Sequence, residues 1–289
     1  MLLINKLRNI CLKLYFYFND KILFKDKFGL SYYLYKNSRP NNSFSIGVRT
    51  DDTTVLHTID KILSSSNLTN NNFIHCIDVG GYIGVITLMM SKSLQKVKKK
   101  FKIHTFEPFK ESFLRLKENV DLNHLSSNAI INNLAVSDKS GTSALWAYSD
   151  TPSDNHLDFN SSQNNKDGFS KKSVKVISLR DYIYENNINQ ITICKVDAEG
   201  ADYLVVKGIC EYLNSRLVDF FILEYQDTTY EKIKHILSAS GYTVYYMVRN
   251  ENILVNSFEN YPKNCKSLLN FIAVSPEKKI DFIKKFKIK

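Results

Sequence analysis

Glycine and proline are scarce in this chain, at 10 and 5 of 289 residues. That excludes collagen-like and Pro/Gly-rich low-complexity architectures. It also makes each retained glycine a pointer to a backbone position that needs one. The five cysteines, Cys11, Cys76, Cys194, Cys210 and Cys265, are odd in number and well separated. Such spacing encodes neither a disulfide framework nor a zinc cluster, and a reducing, cytoplasmic setting is expected. The six histidines are scattered without metal-ligand spacing, so no metal is expected. Long apolar runs are missing near the start: in the first 28 residues the longest is Leu14 to Phe18. That is far short of the roughly 20 residues that span a bilayer, and no signal-peptide cleavage site follows.

Acids are outnumbered by Lys and Arg, 29 to 39, for a net charge of +10. A basic excess favours anionic partners. It is diffuse, with runs at Lys96 to Lys102 and Lys278 to Lys289, and its plainest reading is solvated faces. Peripheral membrane contact through the basic termini is the further expectation. No aromatic-basic recognition motif stands out, so nucleic acid is not an expected partner. A homodimer is left open.

What is present is organised around Phe73 to Lys92, FIHCIDVGGYIGVITLMMSK. Phe73, Ile74, Cys76, Ile77 and Val79 form the short apolar run of a strand covered on both faces. It stops at Asp78, and a glycine turn leads into an apolar helical pattern from Val85 to Leu94. A dinucleotide fingerprint would need glycine at position 79, which is Val. The spacing that stands here is Asp78, Gly80, Gly84, a pattern associated with S-adenosylmethionine sites, and the plain alternative is an ordinary strand-to-helix turn of an α/β protein. Tyr82 occupies the usual middle-glycine position.

Before this stretch, residues 1–28 read as an amphipathic basic helix that packs on the domain or lies on a membrane. A strand pair is expected at Leu30 to Tyr35 and Phe44 to Val48, then a helix from Asp51 toward Leu63. After it, strands are expected at Lys102 to Phe106, Ala129 to Val136, Ile191 to Val196 and Asp219 to Leu223, with helices at Glu111 to Asn123 and Asp202 to Leu213 between them. Gly141 to Tyr148 and Val174 to Ile177 form a side pair of strands around a polar loop, 149–173. Ser178 caps a short helix. A helix over Thr229 to Ser240 stops at Gly241, and closing strands follow at Tyr242 to Val248 and Asn270 to Val274, joined by a loop. Alternating strands and helices with short connections give a parallel sheet with right-handed crossovers. The division expected is an extension (1–66), a Rossmann-like domain (67–276) and a basic tail (277–289), in which Ile280, Ile283 and Phe286 fall at helical spacing.

Every core strand ends in an acid: Asp78, Glu107, Asp138, Asp197, Glu224. Ligands of open parallel sheets bind at those ends, where strand order reverses. Glu107 lies one crossover beyond Asp78 and is placed to accept ribose hydroxyls. Asp197 and Glu199 bracket a turn that Gly200 permits. One can line a cofactor pocket and the other accept a proton, or the two can hold a divalent cation. The plain alternative is turn chemistry with capping by Glu199 and Asp202. Glu224 and His156 are weaker candidates for the base.

The order DVGGYIGVITLMMSK, FEPFKESFLRLKENVDLN, NLAVSDKSGTSALW, VISLRDYI, ITICKVDAEGADYLVVKG, FFILEYQ resembles the FkbM family of S-adenosylmethionine-dependent methyltransferases, over roughly Phe73 to Gln226. The resemblance implies a seven-stranded, mainly parallel α/β sheet whose last strand is antiparallel, and methyl transfer to a hydroxyl, commonly on a sugar. It places Asp78, Gly80 and Gly84 in the cofactor loop, Glu107 at the ribose and Asp197 to Gly200 in the family's second acidic turn. The full cofactor set expected is Asp78, Gly80, Gly81, Tyr82, Gly84, Glu107, Pro108, Ala135 and Asp197, and Asp197 and Glu199 are the candidate catalytic residues. Gly81 stands where Ala is usual and Tyr82 where a small polar residue is. Two other readings remain at this stage: a nicotinamide-dependent oxidoreductase or epimerase, which lacks its fingerprint and its Tyr-x-x-x-Lys pair, and a catalytically silent basic binding module.

Overall fold

The computed structural model describes residues 19, 21–26, 29–35, 53–65, 73–148, 156–157, 169–248, 253–257, 268–286 and 288. The expected strand at Phe44 to Val48, most of the 149–173 loop, and most of residues 1–20 lie outside the described residues. So do Cys11 and Cys265.

The chain opens with a hairpin, β1 (Lys21–Lys25) and β2 (Ser31–Tyr35), paired antiparallel. The sequence reading put Lys21–Lys25 in a helix and paired Leu30 to Tyr35 with a later strand. The turn explains the difference. Asp26 Oδ1 accepts from Leu30 N at 2.9 Å, its carbonyl accepts from Gly29 N at 3.0 Å, and Gly29 sits at φ 77. Such an Asx-type turn closes a hairpin locally.

Helix α1 (Thr53–Leu63) precedes the domain's first strand, β3 (Phe73–Val79). The glycine turn and α2 (Val85–Lys96) follow, then β4 (Lys100–Phe106), α3 (Lys110–Leu122) and β5 (Ala129–Asn132). The strand expected over Ala129 to Val136 is broken. β6 (Ala135–Ser137) leaves the main sheet and joins β7 (Gly141–Tyr148), β8 (His156–Leu157) and β9 (Phe169–Ser178) in a second sheet ordered β6-β9-β7-β8. The 149–173 loop is therefore shorter than expected, because Phe169 to Ser173 belong to β9.

Beyond it come α4 (Leu179–Glu185), capped as expected by Ser178 Oγ accepting from Asp181 N at 3.1 Å, and β10 (Ile191–Val196). The single helix expected over Asp202 to Leu213 is two, α5 (Asp202–Lys207) and α6 (Cys210–Leu213). The break falls at Gly208, whose Cα lies so close to β6 that a Cβ would sit 2.7 Å from the Ser137 carbonyl oxygen. β11 (Val218–Glu224), α7 (Tyr230–Ala239), β12 (Thr243–Val248), β13 (Ile253–Val255), β14 (Leu268–Val274) and α8 (Pro276–Lys285) complete the chain. β13 lies where a plain loop was expected.

The main sheet has the order β13-β12-β14-β11-β10-β3-β4-β5. Neighbours from β5 to β11 are parallel, and β14 is antiparallel to both β11 and β12. This is the expected seven-strand Rossmann-like order with its antiparallel last strand, and the short β13 adds an eighth at the edge. The chain winds from β3 out to β5, then returns to the other side of β3 as β10. The switch point thus falls between β3 and β10, where such folds bind ligands.

Strand alternation feeds two cores. Ile77 and Val79 face α4, α5 and α7 in one cluster with Phe221 and Leu237. Ile74 and Cys76 face α1, α2 and α8 in the other, with Ile222 and Phe282. Of the three residues at helical spacing, Phe286, just past the end of α8, is buried together with Phe282, whereas Ile280 and Ile283 are 67% and 45% exposed. Among the described residues no helix is long and apolar enough to cross a membrane.

Candidate active site

Register brings four strand ends into one row. Val79 pairs with Phe106 and with Val196, and Val196 with Leu223. The residues that follow, Glu107, Gly80, Asp197 and Glu224, therefore stand side by side at the carboxyl edge, about 4.8 Å apart per strand. Asp138 does not join them. It follows β6 in the second sheet and pairs with Lys207 at 2.8 Å.

The turn after β3 is clamped from both sides. Gly80 N and Gly81 N both donate to the Phe106 carbonyl, at 2.9 and 3.0 Å, and Asp197 N donates to the Val79 carbonyl at 3.1 Å. Gly80, at φ 79, packs so tightly on the neighbouring turn that a Cβ would lie 1.9 Å from the Asp197 carbonyl oxygen. At Gly81 a Cβ would lie 2.2 Å from Thr105 Cγ2. The absence of the family's usual Ala is thus matched to the threonine on β4.

Asp78 is 1% exposed and points into the helix start rather than outward. Its Oδ2 accepts from Thr87 Oγ1 at 2.6 Å, and Thr87 Oγ1 lies 2.7 Å from Thr105 Oγ1. Burial pushes its carboxyl up to about 6, against the Thr87 hydrogen bond. Glu107 holds two turns at once: Oε2 accepts from Tyr82 N at 2.8 Å and Oε1 from Phe109 N at 2.9 Å. Burial raises it to about 7 in spite of those bonds. Each oxygen retains a second lone pair for a ligand hydroxyl. Pro108 is partly buried, its carbonyl taking Asn133 Nδ2 at 3.0 Å. Ala135 is buried in β6, paired with Val176, and two residues separate it from the end of β5.

The second turn is built on a lysine that the sequence reading passed over. Lys195, 5% exposed, extends its ammonium to Asp197 Oδ2 at 3.0 Å, whereas Asp197 is 40% exposed. Burial opposes the Lys195 charge, but Asp197 and Asp78 outweigh it and its pKa is raised. One charged residue inside the apolar run ITICKV, just before an acid, was the signal available. Asp202 closes the turn, its Oδ1 accepting from Ala198 N at 3.4 Å and its Oδ2 from Gly200 N at 3.3 Å. Burial lifts Asp202 to about 6. Glu199 is exposed.

Tyr82 and Glu199, at φ 47 and 46, are left-handed without being glycine. Such backbone costs of order 1–3 kcal/mol per residue and gathers at functional sites. These two sit on the two turns that meet at the switch point, while Lys98, His124, Asn187 and Arg216 share the conformation elsewhere. Glu224, at the end of β11, accepts from Gln226 Nε2 at 3.0 Å. His156 lies in the second sheet, on the two-residue β8.

Residues 78–244, more than half of the chain, match the Methyltransferase FkbM domain. The chain belongs to the FkbM methyltransferase family. It is an S-adenosylmethionine-dependent methyltransferase, and the nicotinamide and silent-module readings fall away. A curated protein of Beauveria bassiana (strain ARSEF 2860), named Methyltransferase 1, is 25% identical over 202 residues, covering 64% of this chain and 78% of that one. Among solved structures, the FkbM methyltransferase from Methylobacillus flagellatus KT is similar at TM-score 0.46 and 14% identity, over 70% of this chain and 44% of that one. This chain thus spans less than half of that protein. A SAM-dependent methyltransferase from Agrobacterium tumefaciens aligns at TM-score 0.49 and 10% identity, over 89% and 71% of the two chains.

The residues at the switch point suit the FkbM cofactor. The cofactor's sulfonium is cationic, and Asp197, Asp78 and Asp202 act on the one lysine there, with Glu107 at the adjoining strand end. The glycines let the turn pack against the Asp197 carbonyl, Thr105 and Leu116, each closer than a Cβ would allow.

Proposed function

We propose that this FkbM enzyme methylates a hydroxyl on a sugar of a glycan or glycolipid. The observation that carries the reading is the pair of acids on the second turn, in two different environments. Asp197 is neutralised by Lys195 beside Gly80, whereas Glu199 is turned outward on left-handed backbone. The first suits a fixed anion beside the cofactor, and the second suits a base within reach of an incoming hydroxyl.

When bound, the cofactor supplies an activated methyl group on its sulfonium. Glu107 accepts the ribose hydroxyls through its free lone pairs while holding Tyr82 N. The glycine turn, with Pro108 and Ala135 nearby, borders the adenosyl group. Glu199 takes the proton from the acceptor hydroxyl as its oxygen gains the methyl. Alignment of this kind lowers barriers by roughly 7–11 kcal/mol, and a base adds about 10²–10⁴-fold.

The outward face of α8 supports the membrane contact expected from the basic termini. Exposed Ile280 and Ile283 are flanked by exposed Lys279 and Lys284, the combination that binds an anionic lipid surface. Flotation with phosphatidylglycerol vesicles, absent with neutral ones and lost in Ile280→Asp, tests it.

The functional experiment is incubation of the chain with deuteriomethyl-labelled cofactor and separated carbohydrate, glycolipid and RNA fractions. Labelled methyl ethers in a carbohydrate or glycolipid fraction support the reading. Label confined to RNA would sink it.

A further inference from the structure

The N-terminal hairpin lies before the segment matched to the FkbM domain, yet it is wired to the cofactor turn through one buried side chain. Helix α3 presents Arg115, Asn119 and Asn123 at successive i, i+4 positions, and β2 presents Tyr35, Tyr33 and Ser31 at alternate ones. These meet rung by rung. Asn123 Oδ1 accepts from Ser31 N at 3.1 Å and its Nδ2 donates to the Ser31 carbonyl at 2.7 Å. Asn119 Oδ1 accepts from Tyr33 N at 2.7 Å, and the Arg115 guanidinium lies 4.5 Å over the Tyr35 ring. The spacing matches because four helical residues rise about 6.0 Å and two strand residues about 6.7 Å. Two asparagine side chains thus act as the missing neighbour strand of β2.

Asn119 does one thing more. It is fully buried, and its Nδ2 donates to the Ile83 carbonyl at 2.9 Å. Ile83 stands between Tyr82 and Gly84, both left-handed at φ 47 and 97. The carbonyl held by Asn119 is therefore the pivot of the strained part of the turn.

We infer that Asn119 is a positioning residue: held by Tyr33 N of the β1–β2 hairpin, its amide fixes the Ile83 carbonyl of the 80–84 turn, so that cofactor affinity depends on that bond. The inference rests on the reading of that turn as the cofactor site. A buried carbonyl that loses its donor is left unsatisfied, and the turn is free to escape that cost by leaving the cofactor-ready shape.

The test is calorimetric titration of S-adenosylhomocysteine into the full chain and three variants, with melting temperatures alongside. Asn119→Asp keeps the acceptor for Tyr33 N and loses the donor to Ile83. Asn119→Ala loses both, and Asn123→Ala loosens the hairpin without touching the turn. Affinity should fall about tenfold in both Asn119 variants, the equivalent of about 1.4 kcal/mol. It should stay within about twofold in Asn123→Ala, even if melting drops equally. Wild-type affinity in Asn119→Asp, or an equal loss in Asn123→Ala, would overturn the link. Hydrogen exchange on the wild type covers the case of variants that do not fold. The Tyr33 amide should gain protection on ligand addition, and no gain would count against the link. A wild-type chain that binds no cofactor overturns the reading of the turn, and the inference with it.

Discussion

Cofactor binding should release close to one proton near pH 6 and almost none at pH 8. Glu107 is the source. Burial holds its carboxyl at about 7 in the ligand-free protein, so about 90% of it is protonated at pH 6 and about 10% at pH 8. Ribose hydroxyls donating to the carboxylate, with a sulfonium cation nearby, favour the ionised form. Return to an ordinary value sheds about 0.9 proton at pH 6, and Asp78, held at about 6, adds to it. Affinity for the cofactor should then rise nearly tenfold per pH unit below about 6 and level off above 7. The same shift has the opposite sign for the empty fold. The folded pKa lies above the unfolded one, so the contribution of Glu107 is complete below about pH 4.5 and is lost as pH climbs through 7, a change of about 3 kcal/mol. Titration calorimetry at pH 6 in two buffers of different ionisation enthalpy counts the protons directly. Glu107→Gln should remove its share. Identical heats in both buffers would refute the assignment of Glu107 to the ribose.

Three further outcomes are expected. Gly80→Ala should cost about 2–5 kcal/mol, from left-handed strain and backbone overlap with Asp197, and abolish cofactor binding; a fully stable, binding variant in denaturant melts and titrations would contradict the packing of the two turns. Lys195→Met should lower turnover far more than stability, since half-open Asp197 can be hydrated, and urea unfolding should fall by only about 1–3 kcal/mol; unchanged turnover would remove the lysine from the site. The third concerns His75 Nδ1, 3.0 Å from His104 Nε2, and His104 Nδ1, 2.9 Å from the Tyr182 hydroxyl. Burial lowers His104 to about 4. A lowered histidine stabilises the fold above its unfolded value near 6.5 and loses that contribution as pH falls toward 4, about 3 kcal/mol in all. His104→Gln should therefore flatten stability between those pH values relative to wild type, and parallel curves would contradict it.

The parts of the site that local spacing controls were legible. The apolar run ending in Asp78, the glycine positions and the crossover to Glu107 follow from strand and turn chemistry alone, as does the cap at Ser178. What was missed depends on neighbours distant in sequence. Asp138 looked like another strand end because Ala129 to Val136 reads as one strand across Asn132-Asn133, but the strand breaks there and β6 is captured by β9. Gly208 looked like a helix residue until the Ser137 carbonyl was found against it. Ile280, Ile283 and Phe286 fall at helical spacing, yet of the three only Phe286 is buried, because Phe282 is the residue that packs on Phe220 of β11 and stacks on Phe286. Lys195 and Asn119 are polar residues whose partners, Asp78 and Asp197 in one case, Tyr33 and Ile83 in the other, come together only when the sheet closes.

The central claim is that the turn after β3 and the acid after β4 hold one adenosyl ligand. A crystal structure of the chain with S-adenosylhomocysteine measures this directly. The account predicts adenosine along Gly80 to Gly84, with both ribose hydroxyls on the Glu107 carboxylate and the sulfur beside Asp197. Ligand bound elsewhere, with the Tyr82 ring filling that edge, would contradict it.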